Sequence, residues 1–170
     1  MCPEDTYIDF REVQQFRQPW LWIILFVSLV VAIVVVGYPL AQGTATGKTP
    51  GELAALRGAL ALIVIVGLGL AAGFYFIKLI TEIRGEGLYA RFVPFVRWLI
   101  PYEDIKSCEA RTYSPIGEYG GWGIRWGRGG KAYNISGSRG VQLEFKDGKR
   151  LLIGSRRADE FAQAIQARMK

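Results

Sequence analysis

Two stretches of this chain abandon the usual mixture of apolar and polar positions. From Trp20 to Tyr38 it reads WLWIILFVSLVVAIVVVGY, nineteen residues without a charge; from Gly58 to Ile77 it reads GALALIVIVGLGLAAGFYFI, twenty without one. A helix needs about 20 such residues to cross the hydrocarbon layer. In that layer only a helix or a closed barrel satisfies its own backbone. Two buried helices of a soluble core would each carry a polar stripe, and neither segment has one. The pattern therefore predicts a transmembrane helical hairpin over residues 20–80, with spans near 20–38 and 58–77.

The flanks have other periods. In the tail, residues 1–19, Phe10, Val13 and Phe16 recur every third position among acids and glutamines. That spacing predicts a short amphipathic helix ended by Pro19. Its polar face has few bases, which favours packing on the rest of the protein over lying on the membrane surface. Residues 81–170 read as short strands and one helix. Three β-rich runs, near 86–93, 95–100 and 105–113, are separated by Pro94 and by the Pro101–Asp104 turn. GWGIRW, KAYNIS, GVQLEF and KRLLIG are four more, divided by the glycine-rich turns GRGG, GSRG and KDGK. Alternation is clearest in GVQLEF, where Val141, Leu143 and Phe145 face one way. The last segment is helical, with Ala158, Phe161, Ala162, Ile165 and Met169 on one stripe. Asp159 and Glu160 in its first turn and Arg168 and Lys170 in its last suit the helix dipole.

Composition and charge place these elements. The chain is 51% hydrophobic yet 21% charged, because the two classes are segregated. The tail holds four acids against two arginines, and the first apolar run is too long for a signal-peptide core, so that run is an anchor. Trp20, Trp22, Tyr38 and Tyr75 stand at span ends, where amphipathic rings favour the headgroup zone, and Lys78 can snorkel there. The loop between the spans carries only Lys48 and Arg57, whereas the outer flanks carry Arg11, Arg17, Lys78, Arg84, Arg91 and Arg97. The positive-inside rule then puts both termini in the cytoplasm, in a multi-pass protein of the cell (inner) membrane. From Lys78 onward seventeen Lys and Arg face ten Asp and Glu, so the net charge of +6 belongs to the soluble part. A basic domain beside an anionic leaflet is attracted to it, and membrane tethering argues against nucleic acid as the partner.

Seven short antiparallel strands closed by an amphipathic helix is the plan of the pleckstrin-homology (PH) fold. Here that plan follows a two-span hairpin. The residues that carry the resemblance are Pro101 to Ile105, Gly121 to Arg125, Gly140–Val141, Gly148, Ile153–Gly154 and Phe161. On them the chain resembles small prokaryotic membrane proteins with two transmembrane helices and a bacterial-type PH-like domain. The implied fold is an α+β membrane protein: a two-helix hairpin followed by a PH-like, seven-stranded antiparallel barrel or sandwich capped by a C-terminal helix. The resemblance implies a role in assembly and names no ligand. RFVPFVRW, between the first two of these strands, holds only Arg91 and Arg97, not the dense basic loop of a phosphoinositide binder.

Candidate chemistry is thin. There is no histidine, which removes the commonest general base and metal ligand, and Cys2 and Cys108 form no metal or disulfide pattern. YGGWGIRWGRGG, residues 119–130, has a GxGxxxG spacing and is followed by turn and strand, not by the helix a nucleotide cradle requires. Its single RGG is too short for RNA binding. The acids are scattered without an acid–base pairing, and neither span contains the ionisable residue that ion pathways require. We therefore expect no enzyme, no catalytic, metal or cofactor site, and no small-molecule substrate. If 121–126 is a strand, Trp122, Ile124 and Trp126 share one face, assigned to the barrel core or its seam with the capping helix. Arg125, Arg128, Lys131 and Arg139 then gather near strand ends, as a solvated rim or as a surface for a protein partner or lipid headgroups. Gly69 and Gly73 are the candidate small-residue pair for helix packing, within the hairpin or between two copies, with Gly67–Ala71 and Ser28–Ala32 beside them. The expected function is a PH-like scaffold binding protein partners or its own copies at the bilayer. The alternatives are an accessory subunit of a larger membrane enzyme or transporter, and an anionic-lipid sensor.

Overall fold

A computed structural model of the chain describes residues 9–42 and 49–169. The eight residues before Asp9, with Cys2 among them, lie outside the described residues. The chain divides into two compact units. One is the apolar segment Arg17–Tyr75; the other combines the residues up to Phe16 with everything from Phe76 onward.

The apolar unit is two helices, α1 (Pro19–Ala41) and α2 (Pro50–Phe76), each long and apolar enough to span a membrane. Neither contains a buried residue. Helix α2 starts well before the uncharged run because Thr-Pro-Gly-Glu is a capping box. Thr49 N–H donates to a Glu52 carboxylate oxygen at 2.6 Å, and Glu52 N–H donates back to Thr49 Oγ1 at 3.3 Å. Proline at the first helical position removes a donor that would have had no partner.

The second unit is built on nine strands among the described residues, in two sheets. The first sheet contains β1 (Phe10–Gln15), β2 (Lys78–Arg84), β3 (Gly87–Val93) and β4 (Val96–Ile100) as an antiparallel meander. The second has the order β5-β8-β9-β7-β6, from β5 (Ile105–Thr112), β6 (Gly123–Gly127), β7 (Gly130–Asn134), β8 (Arg139–Phe145) and β9 (Arg150–Gly154). Its β7 and β9 run parallel, with Lys131 beside Leu151 and Tyr133 beside Ile153. A short helix, α3 (Pro115–Tyr119), precedes β6, and α4 (Ala158–Arg168) closes the unit. The architecture is thus α+β: two long apolar helices, two β-sheets and a C-terminal helix.

Seven strands sit where the alternation puts them, and Ala158, Phe161, Ala162 and Ile165 are the buried stripe of α4. Three expectations are corrected. The strand count is nine, and one pairing is parallel. The tail is a strand, not a helix: β1 pairs residue by residue with β2, from Phe10 opposite Ile83 to Gln15 opposite Lys78. Lys78, expected just beyond the second span, is the first residue of β2. Residues 115–119, to which the sequence pattern assigns no element, form α3. Ser114 caps it by accepting from Gly117 N–H at 3.1 Å, Pro115 starts it, and Gly120 ends it in the left-handed region at φ 71.

The β1–β2 pairing makes the two apolar helices an insertion within one antiparallel strand connection. Burial and polar bonds hold β1. Phe10, 3% exposed, stacks on Phe161 of α4 with centroids 5.0 Å apart. Gln14, buried, donates through Nε2 to the Gly154 carbonyl at 2.7 Å. The Glu12 carboxylate accepts from the Ser155 hydroxyl and from Arg156 N–H. Leu79, Ile83 and Leu88 of the first sheet, Leu143, Leu152 and Ile153 of the second, and Phe161 and Ile165 of α4 are fully buried and form the core.

Candidate functional site

The most distinctive surface of the β-rich unit is a cleft of about 720 Å³, formed by β4 and two turns of the second sheet. Val96 and Trp98 line it from β4. The β6–β7 hairpin contributes Trp126, Arg128 and Lys131, and the β8–β9 hairpin contributes Phe145, Lys149 and Arg150. The parallel β7–β9 pairing brings these hairpins together by setting Lys131 beside Leu151. That approach requires glycine: a Cβ on Gly130, whose φ is +97, would lie 2.3 Å from the Arg150 carbonyl oxygen. Gly127 is equally constrained, since a Cβ there would lie 2.1 Å from the Glu118 carbonyl oxygen. Two glycines of the 119–130 stretch are thus explained by backbone proximity.

The cleft wall is aromatic. Trp98 and Tyr133 rings meet at 4.1 Å between centroids. The Lys131 ammonium lies 4.9 Å from the centroid of the Trp126 ring and 4.9 Å from that of Tyr133. A cation between two π-faces is held electrostatically without a carboxylate. Tyr133 is buried, whereas Trp126 is 74% exposed. This overturns the assignment of Trp122, Ile124 and Trp126 to the core. β6 is an edge strand of its sheet, so Trp126 has a strand on one side only. Trp122 and Ile124 are half-buried, and the Trp122 indole donates to the Gly137 carbonyl at 3.1 Å.

The charge of the cleft is unbalanced. Asp147, at the β8–β9 turn, is paired with Lys149 at 2.6 Å, and hydrogen bonds from the Lys149 side chain and backbone hold its carboxyl below the usual range. Glu144 is similarly lowered by its hydrogen bond from Lys106. These acids are thus engaged, and among the described residues Arg128, Lys131 and Arg150 form no ion pair. A groove with flat apolar walls, the cations Arg128 and Lys131, and Arg150, whose charge also lowers the Glu144 carboxyl across from it, can bind an anionic group attached to an aromatic or aliphatic body.

The four basic residues predicted to cluster are divided. Arg128 and Lys131 reach the cleft. Arg125 lies one residue from Trp126 on the other face of β6, and its Nε donates to the Trp122 carbonyl at 3.0 Å. Arg139, at the start of β8, pairs with Asp159 of α4 at 2.8 Å. Lys149 and Arg150 are the cations that sequence reasoning missed; the KDGK turn contained them, but only the β7–β9 pairing brings them to Lys131. Among the described residues no three His, Cys, Asp or Glu side chains group as a metal site.

In the apolar unit, Trp20, Tyr38 and Tyr75 are exposed near helix ends and Trp22 is half-buried. Gly69 and Gly73 look onto open space, whereas a Cβ on Gly67 would meet Leu29 at 2.6 Å. The seam between α1 and α2 therefore runs through Gly67, with Ser28 and Ala32 opposite, and the pairing of these two helices does not use Gly69 and Gly73.

Over residues 1–170 the chain matches the family of unknown function DUF6141, and it belongs to that family. No curated protein matches it.

Proposed function

We propose that this chain is a non-enzymatic integral membrane protein whose PH-like domain binds a protein partner through the cleft between β4 and the two hairpins of the second sheet. In this reading α1 and α2 cross the cell membrane as a multi-pass hairpin and both termini are cytoplasmic. Helix length and composition support the spans, and the excess of Lys and Arg outside the inter-helix loop supports the orientation. The PH-like assignment draws on two sheets followed by a C-terminal helix. Relative to the seven-stranded antiparallel plan, β1 and β2 are additions and the β7–β9 pairing is parallel.

One observation carries the binding role: Trp126 stands 74% exposed beside Lys131 and Arg128, over a groove walled by Trp98 and Tyr133. Exposing a tryptophan ring is unfavourable, at about 25 cal/mol per Å² of apolar surface. Tryptophan, tyrosine and arginine around a groove are the side chains that dominate protein interfaces. The cations select an acidic segment.

The test is a photo-cross-linking amino acid at position 126 of the full-length protein in its native membranes. A discrete adduct of fixed stoichiometry is expected, lost when Arg128→Glu and Lys131→Glu are introduced together. An adduct pattern identical to that of a cross-linker at Ser107, on β5 at the opposite sheet edge, would refute the assignment. Labelling of lipid alone, dependent on anionic headgroups, would replace it with a lipid-sensing role.

A further inference from the structure

The β3–β4 turn carries a feature the cleft does not use. Phe95, at its tip, is 64% exposed. The strand end to which it belongs is defined by pairing: Gln15 lies opposite Lys78, Lys78 opposite Val93, and Phe92 opposite Val96. Gln15 is four residues before the start of α1, and Lys78 is two residues after the end of α2. An extended residue spans at most about 3.6 Å. The chain therefore leaves for the first apolar helix, and returns from the second, at the same strand end that presents Phe95.

The charges around this end are one-signed. On β3 and β4, Arg91 stands directly opposite Arg97, and Ile80 of β2 lies opposite Arg91 on its other side. Like charges facing each other across a sheet are destabilising unless an anion offsets them. Among the described residues Lys78, Arg91 and Arg97 form no ion pair, and the Arg91 Nε, buried, has no hydrogen-bond partner. An exposed phenylalanine at the tip of a turn, beside uncompensated cations and at the strand end where both tethers attach, suits the region where lipid phosphates meet acyl chains.

We infer that the β3–β4 turn is a second membrane contact: Phe95 inserts into the headgroup boundary of the bilayer, and Lys78, Arg91 and Arg97 engage anionic lipid phosphates. The contact is a lipid one and is independent of what fills the cleft. It restrains the β-rich unit against rotation about its tethers, and with it the cleft, whose β4 wall begins at Val96, the residue after Phe95.

Phe95→Cys, in full-length protein carrying Cys2→Ser and Cys108→Ala, is spin-labelled and reconstituted into vesicles of phosphatidylcholine with phosphatidylglycerol. Collision with oxygen and with a water-soluble nickel complex is then compared with that of a label at Asp147→Cys. The expected result at position 95 is loss of nickel collisions and retention of oxygen collisions. The nickel collisions should return when Arg91→Gln and Arg97→Gln are added or when phosphatidylglycerol is omitted. Nickel accessibility at 95 equal to that at 147 in the anionic vesicles overturns the inference. So does protection at 95 that neither substitution nor lipid charge changes, since the cations would then have no part in it. Phe95 is 64% exposed but its ring lies 6.4 Å from that of buried Phe92, so an unchanged near-ultraviolet circular dichroism spectrum is required to show that the labelled variant keeps the fold.

Discussion

Replacing Phe10 by alanine probes the joining of a strand that precedes the apolar helices to a sheet that follows them. Phe10 is 3% exposed, its ring is stacked on Phe161 with an interplanar angle of 15°, and the Arg157 guanidinium lies 4.9 Å from its centroid. Truncating a buried phenylalanine costs about 3–5 kcal/mol, the lost transfer energy plus the cavity left behind. For a domain of this size 1 kcal/mol moves the melting midpoint by roughly 4 °C, so Phe10→Ala should lower it by roughly 12–20 °C. Val13 provides the internal control. It is 48% exposed on the outer face of β1, and Val13→Ala should change stability by no more than about 0.5 kcal/mol. A helix would place positions 10 and 13 on one face and make the two substitutions comparable. The assay is thermal unfolding of the full-length protein in detergent micelles, followed by near-ultraviolet circular dichroism, which reports packing of the aromatic core. Equal shifts for the two variants, or a shift for Phe10→Ala below about 2 °C, would refute the role of β1 in the sheet.

Two further predictions concern the second sheet. Gly130→Ala meets both a φ of +97 and a backbone oxygen at 2.3 Å, whereas Gly148→Ala meets a φ of +84 in open space. The first should lower the melting midpoint well beyond the second, which carries only backbone strain of about 1–3 kcal/mol; equal losses would show that the β7–β9 approach is not tight. Glu118 has its carboxyl lowered from the usual 4.5, first by the hydrogen bond from Arg111 and then by Ser114 N–H. A lowered carboxyl stabilises the fold fully above its unfolded value, and that contribution is lost as pH falls through the folded value. Wild-type stability should therefore decline more steeply than that of Glu118→Gln as pH drops below about 4.5, measured as melting midpoint against pH.

The sequence determined by itself what depends on near neighbours. Long uncharged runs specify the two apolar helices, because a span is a property of consecutive residues. Alternation with glycine turns specifies β3 to β9, and the 3–4 spacing of Ala158, Phe161, Ala162 and Ile165 specifies α4. Tertiary structure decided the rest. β1 was hidden because its inward positions include Glu12 and Gln14, polar side chains whose hydrogen-bond partners, Gly154, Ser155 and Arg156, lie at the other end of the chain. A strand with polar inward residues shows no apolar alternation, and Phe10, Val13 and Phe16 then mimic a helix. The pairing of β7 with β9, and with it the meeting of Lys131 and Arg150 in one cleft, is likewise non-local. Alternation puts Trp126 on a face with Ile124, but whether that face is covered depends on which strand lies at the sheet edge. The edge proved to be β6, and the tryptophan stands at the surface because no strand follows it there.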